Sequence, residues 1–263
     1  MKATILITGE KKENFLVETI NSCLNQNYYN YEVILLYSNL KNLNLLKRKF
    51  NKQIIFKKIF IKKNNPVKDQ LFKISEGIKV ATGQFIFLLD GDDRFKKNKL
   101  KVIMNLRKKN MLYFDDHLML QKNKLSYIKN NNLKNNFLYK FFINPWPDKV
   151  CTSCISGEKK LFENFFRHIN INKYQYLAID ILILIFYLKN IYKIKKKLTI
   201  KSILDESVDT NYSDYSKSIY WKRRVEQHKY LKEIQSINYS LEFYFSKFIY
   251  NLFYFQKYIQ RIF

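Results

Sequence analysis

"FIFLLDGDD" occupies residues 85–93, and its reading decides the fold. Five apolar residues, Phe85 to Leu89, run straight into Asp90, Gly91, Asp92 and Asp93. A strand that is apolar throughout is buried on both faces, which is the habit of parallel sheets covered by helices. In such sheets ligands bind beyond the carboxyl ends of the strands. The three acids are therefore placed at a binding edge.

The flanking sequence repeats the same alternation. "ATILIT" (3–8), "YEVILLY" (31–37) and "QIIFKKIFI" (53–61) read as further strands. Between them, "ENFLVETINSCLNQ" (13–26) puts Phe15, Leu16, Thr19, Ile20, Cys23 and Leu24 on one helical face. "LKNLNLLKRKF" (40–50) is a short helix, and "KDQLFKISEGIKVAT" (68–82) a helix stopped near Gly83. After the acids come a basic amphipathic helix over 97–110 and a fifth strand, "MLYFDD" (111–116), ending in Asp115 and Asp116. Residues 121–147 read as loop-like, a lid or an acceptor-binding excursion. "KVCTSCIS" (149–156) returns to extended structure, followed by helices over 158–169 and 174–188 and a strand over 195–204. From Ser216 the chain is helical, basic and aromatic.

Composition narrows the classes. With 263 residues, 47% of them apolar, a full core is available and global disorder is excluded. Five Gly and three Pro argue against a many-stranded all-β design. The net charge of +26 is extreme, but Lys far outnumbers Arg while Asn, Ile, Phe and Tyr are abundant. That bias follows A/T-rich codons, so much of the lysine is compositional. A charge-driven partner would be an anionic membrane, a phosphorylated substrate or a nucleic acid. Three cysteines make no disulfide framework, and Cys151-x-x-Cys154 has no second pair to complete a zinc site. The longest apolar run, "LAIDILILIFYL" (177–188), falls short of the ~18 residues that span a bilayer. The expectation is a cytoplasmic protein, soluble or peripheral on the inner face of the membrane.

Adjacent carboxylates repel one another unless a cation joins them. Mg²⁺ and similar hard cations take one or two carboxylates plus substrate phosphates. An Asp-x-Asp step at a strand end suits a metal-bridged diphosphate, although Asp92 and Asp93 could equally cap the following helix. Gly91 would let the backbone approach a ligand closely.

"FLVETINSCLNQNYYNYEVILL" (15–36) followed by "EGIKVATGQFIFLLDGDDRFKKNKL" (76–100) resembles the family 2 glycosyltransferases of the GT-A fold. Members carry blocks such as FLxETIxSxLNQ, xEVIIV and NGIxxAxGxYIxFLDxDD, then a helix around xxxKL, in this order. The resemblance spans most of residues 3–100. It implies a Rossmann-like, mostly parallel sheet sandwiched by helices. It also implies transfer of a sugar from a nucleotide-diphosphate donor, with inversion, to a glycan or lipid-linked acceptor in cell-surface polysaccharide synthesis.

Roles follow position by position. Asp92 matches the metal-binding acid, Asp90 the acid near the ribose or metal, and Asp93 a holder of metal-bound water or a donor hydroxyl. The metal would be Mn²⁺ or Mg²⁺. Two positions depart from the pattern. A Pro-Thr-Tyr-Asn-like turn is replaced by Thr8, Gly9 and Glu10, and the base-binding Asp after the second strand by Ser38 and Asn39. A UDP-sugar is the default donor, with the base left in doubt by that second change.

The family's general base is an Asp opening a helix in the second half. Asp180 is the candidate here, and Asp115 or Asp116 the alternatives. Arg223 and Arg224, in "YWKRRVEQHKYL" (220–231), are candidates for the diphosphate because an arginine fork suits phosphate. The alternative is a solvated basic helix face. The expected organisation is a GT-A domain over 1–214, split into a nucleotide-sugar-binding half (1–116) and an acceptor half (117–214). A basic aromatic helical extension over 215–263 would contact a membrane surface, the catalytic domain or a second copy. The rival enzyme is a nucleotidyltransferase, which needs a Gly-rich phosphate loop where "TGEKKEN" has one Gly. The non-catalytic rival is a basic membrane- or RNA-binding module; no nucleic acid is expected.

Overall fold

Four parallel strands carry the first part of the chain. In a computed structural model, β1 (Ala3–Thr8), β2 (Tyr31–Tyr37), β3 (Ile55–Lys58) and β4 (Phe85–Asp90) lie in the order β3-β2-β1-β4. The structure describes residues 1–9, 13–60, 65–106, 108–122, 124–127, 151–204 and 214–259. Thr8 stands opposite both Leu36 and Asp90, so the strands end at one edge.

Alternate side chains of β1, β2 and β4 feed two separate cores, as the period-2 geometry of strands requires. Ile5, Ile7, Val33, Leu35, Phe85 and Phe87 point to one face. There they meet α1 (Glu13–Leu24), α2 (Leu43–Phe50) and α4 (Lys99–Leu106) through residues such as Ile20, Leu46 and Ile103. Leu6, Ile34, Leu36, Ile86 and Leu88 point to the other. They meet α3 (Pro66–Val80), α5 (Lys159–His168), α6 (Ile179–Phe186) and α7 (Ser218–Gln235). The expected sheet covered on both faces is the one observed.

Beyond β4 the sheet continues through β8 (Ile155–Glu158), β6 (Leu112–Gln121), β9 (Ile191–Ser202) and the two-residue β5 (Arg94–Phe95). β7 (Lys124–Ser126) forms a hairpin with β6. β8 runs antiparallel to β4 and β6, while β6 and β9 are parallel. The antiparallel insertion had no signature in the sequence, because a short apolar run does not reveal its direction.

Three expectations change. The fifth strand does not end at Asp116 but continues to Gln121, with register shifts at Asp115/Asp116 and Asp116/His117. The boundary drawn between 116 and 117 thus falls inside β6. The helix read over 174–188 is confined to 179–186, since Tyr174 and Tyr176 are held as non-helical backbone by Lys68 and Glu226. Gly83 is not a left-handed helix cap. A Cβ there would lie 2.6 Å from the Ala3 carbonyl carbon, so glycine is needed to let the chain pass β1. Of the excursion over 121–147, only 121, 122 and 124–127 lie within the described residues.

α7 joins the main core through Tyr230 and Leu231, and the Tyr230 hydroxyl donates to the Leu182 carbonyl of α6 at 2.9 Å. α8 (Leu241–Ile259) packs against α7. Among the described residues no helix is long and apolar enough to cross a membrane.

Candidate active site

The acid loop is assembled from four parts of the chain. The Gly91 N–H donates to the Thr8 carbonyl at 2.6 Å, tying the loop after β4 to the end of β1. From α1, the Thr19 hydroxyl bonds to the Gly91 and Asp93 carbonyls at 3.0 and 2.7 Å. The Ser202 hydroxyl, ending β9, donates to the Asp92 carbonyl. Ser153, from the turn before β8, donates its hydroxyl to Asp93 Oδ2 at 2.7 Å and accepts the Asp90 N–H at 2.9 Å.

These contacts separate the three aspartates. Asp93 is 2% exposed, and both its oxygens are occupied internally. Oδ1 accepts the Ser202 N–H at 2.8 Å, and Oδ2 also accepts the Cys151 thiol at 3.4 Å. Asp93 therefore braces the loop. Asp90 Oδ1 accepts the Gln70 amide at 2.6 Å and the Thr8 hydroxyl at 3.3 Å. Asp92 is half-buried between them.

Their electrostatics are those of a crowded carboxylate site. Burial holds the Asp90 carboxyl well above the usual range, and Asp93, Asp92 and Asp180 push it further; Lys201 opposes them. Burial and the Asp92 charge raise Asp93 to about 6, against the bonds from Ser153 and Ser202 and the charge of Lys201. Neighbouring carboxylates with a raised proton affinity are the donor set that a hard divalent cation stabilises. Among the described residues no group of three or more His, Cys, Asp or Glu side chains is arranged to hold a metal ion, and both Asp93 oxygens already have partners.

Asp180 lies in the first turn of α6, half-buried, and its charge reaches Asp90. The fold thus brings it to the acids across a gap of 90 residues. Asp115 is engaged inside the protein. It is fully buried, its Oδ1 2.6 Å from Lys99 Nζ and its Oδ2 2.7 Å from the Thr199 hydroxyl. Lys99 also donates to the Ser153 carbonyl and Thr199 Oγ1, each at 2.6 Å, and sits 4.2 Å from the Phe95 ring centroid. Asp116 faces Lys193 at 4.0 Å.

Of the remaining candidates, Thr8 is buried against Asp90, and Ser38 and Asn39 follow β2 at the same sheet edge. Glu10 lies outside the described residues. Arg224 pairs with Glu242 at 2.9 Å and donates to Gln227 at 3.2 Å, joining α7 to α8. Arg223 is half-buried on α7. His228, also buried on α7, is held neutral by burial and by Arg224, with a pKa of about 3.

Sequence reading missed Thr19, Gln70, Ser153, Lys201 and Ser202. Thr19 was visible only as part of an apolar face. Ser153 lay inside a Cys-x-x-Cys that drew attention to its thiols, both of which are buried and free. Lys201 and Ser202 carried no signal, because their relevance depends on β9 closing beside the acid loop.

The fold agrees with that of known proteins. The model of glycosyl transferase family 2 matches residues 4–166, and the chain belongs to that family. It is a glycosyltransferase of the GT-A fold. The structure resembles TarS from S. aureus in complex with UDP-GlcNAc, with a TM-score of 0.59 and 15% identity over 89% of this chain and 72% of that one. The complex of TarS with UDP gives 0.57 and 16%, over 89% and 71%. The mannosyltransferase PcManGT from Pyrobaculum calidifontis, in complex with GDP-Man and Mn²⁺, gives 0.57 and 8%, over 92% and 66%. No curated protein sequence matches the chain.

Proposed function

We propose that this glycosyltransferase moves a sugar from a nucleoside-diphosphate donor to a hydroxyl of a glycan or lipid-linked acceptor, with inversion, in cell-surface polysaccharide synthesis. The observation that supports the reading is the cluster of Asp90, Asp92 and Asp93 at the carboxyl end of β4, with the charge of Asp180 acting on Asp90. Asp90 and Asp92 suit the diphosphate end of a donor, and Asp180 suits the acceptor.

Asp92 and the second oxygen of Asp90 would hold Mn²⁺ or Mg²⁺. When bound, such a cation neutralises charge that develops on the departing diphosphate. Lys201 adds a fixed positive charge to the same end of the site. Ser38 and Asn39, just after β2, would offer hydrogen bonds to the base. A UDP-sugar is the proposed donor; the structural neighbours include both UDP- and GDP-sugar complexes.

Asp180 is the proposed general base. An inverting transfer forms the new bond from the acceptor oxygen to the anomeric carbon as the bond to the diphosphate breaks on the opposite face. The acceptor proton passes to the Asp180 carboxylate. Asp115 is less suited to that task, because its carboxylate is already engaged with Lys99 and Thr199.

Calorimetric titration with UDP, GDP, CMP and dTDP, with and without Mn²⁺, tests the donor site. One nucleotide is expected to bind in a metal-dependent manner, and Asp92→Ala is expected to abolish the metal dependence. Binding indifferent to both metal and Asp92 would overturn the assignment.

A further inference from the structure

α8 is apolar on two opposite faces. Phe243 and Ser246 are buried, and Ile249, Tyr250 and Phe253 are half-buried; at 100° per residue they make one stripe. Leu241, Tyr244, Phe245, Phe248, Leu252 and Phe255 form a second stripe on the other side, and each is between 48% and 60% exposed. Their spacing of three and four residues keeps that stripe continuous along the described helix. A helix that only lay on the protein surface would carry polar residues there.

The surroundings of the stripe indicate what covers it. Trp221 of α7 packs edge-on against Phe245, with ring centroids 5.6 Å apart, and donates its indole N–H to the carbonyl of Tyr215, whose own ring is exposed. Tyr and Trp at the margin of an apolar strip are the residues that settle at the headgroup level of a bilayer. The single acid of α8, Glu242, is neutralised by Arg224, whereas Lys247 is exposed. Residues 215–259 contain eight Lys or Arg against three Glu, within a chain of net charge +26. Two such chains would repel if they met face to face, whereas an anionic surface would attract either.

We infer that α8 is an interfacial helix that docks the enzyme on an anionic lipid bilayer, with the Phe248–Phe255 stripe entering the headgroup boundary and basic side chains meeting the lipid phosphates. This inference is independent of the donor chemistry proposed above.

Flotation of the full chain with vesicles tests it. One set is phosphatidylcholine alone, and the other contains about one-third phosphatidylglycerol. Binding is expected to be at least about tenfold stronger to the anionic vesicles and to weaken in high salt. The double variant Phe248→Ser/Phe255→Ser should lose about tenfold or more of that binding while keeping the wild-type melting temperature, because both side chains are outside the core. Failure of the wild type to float with anionic vesicles would overturn the inference, as would equal flotation of the double variant. Sedimentation equilibrium is the third arm. A wild-type dimer that the double variant converts to a monomer would assign the stripe to a second copy and overturn the bilayer.

Discussion

Gly9 and Gly91 face each other so closely that a Cβ on Gly9 would lie 2.9 Å from the Gly91 Cα. This contact, beside the Gly91–Thr8 hydrogen bond, sets the height of the acid loop over β1. Gly9 also has φ +154°, which L side chains rarely adopt. Gly91 therefore has its small size explained by another stretch of backbone rather than by a ligand. Gly9→Ala is expected to cost about 1–3 kcal/mol in urea unfolding and to weaken nucleotide binding as the loop shifts. Gly91→Ala, whose new Cβ would meet Gly9 Cα at 3.1 Å, should cost less. Equal, negligible effects from both would show that the loops can separate freely.

The Lys99–Asp115 pair predicts a strong asymmetry between single and double substitution. Lys99→Met leaves a buried carboxylate without its cation and should destabilise the protein by about 3–5 kcal/mol. Adding Asp115→Leu removes the stranded charge and should recover much of that loss. A double variant as unstable as the sum of the two singles would refute the pairing.

Asp180→Asn separates base from binding. With the acid loop intact, nucleotide affinity should stay near that of the wild type while kcat falls by roughly 10²–10⁴. Asp115→Asn, by contrast, should act through stability. If Asp180→Asn left kcat unchanged, the base would lie elsewhere.

Glu32 carries a pH signature. Burial by itself would raise its carboxyl, but hydrogen bonds from Lys2, Thr4 and Thr82 outweigh that and hold the pKa at about 2. The folded value lies below the unfolded one, so the stabilisation is complete above about pH 5 and is lost as pH falls toward 2. Glu32→Gln should be less stable than wild type by roughly 1–2 kcal/mol at pH 7, allowing for partial solvent screening. The gap should narrow in urea melts taken at successively lower pH. A gap that does not change with pH would remove Glu32 from the acid response.

The split among the acids shows how far reading the chain alone could go. The run from Phe85 to Asp93 placed three carboxylates at a strand end, and the parallel block around it followed from periodicity within each segment. Asp180 was singled out by the family resemblance and by its place in an apolar run, although the helix it opens is shorter than its hydrophobicity suggested. Asp115 looked equivalent to Asp116 because both end an apolar stretch. Only the register shift in β6 and the arrival of Lys99 and Thr199 separate them.

What the sequence by itself determined was the family, the strand–helix alternation and the location of the acid cluster, because all three arise from neighbours along the chain. The tertiary structure decided what surrounds each acid. Asp93 is braced by Ser153 and Ser202, 60 and 109 residues away, and Asp90 is approached by Asp180. It likewise showed that Arg224 joins two helices and that α8 has an exposed apolar face. A carboxylate's role depends on the donors and charges around it, and contacts between distant segments exist only once the sheet has closed.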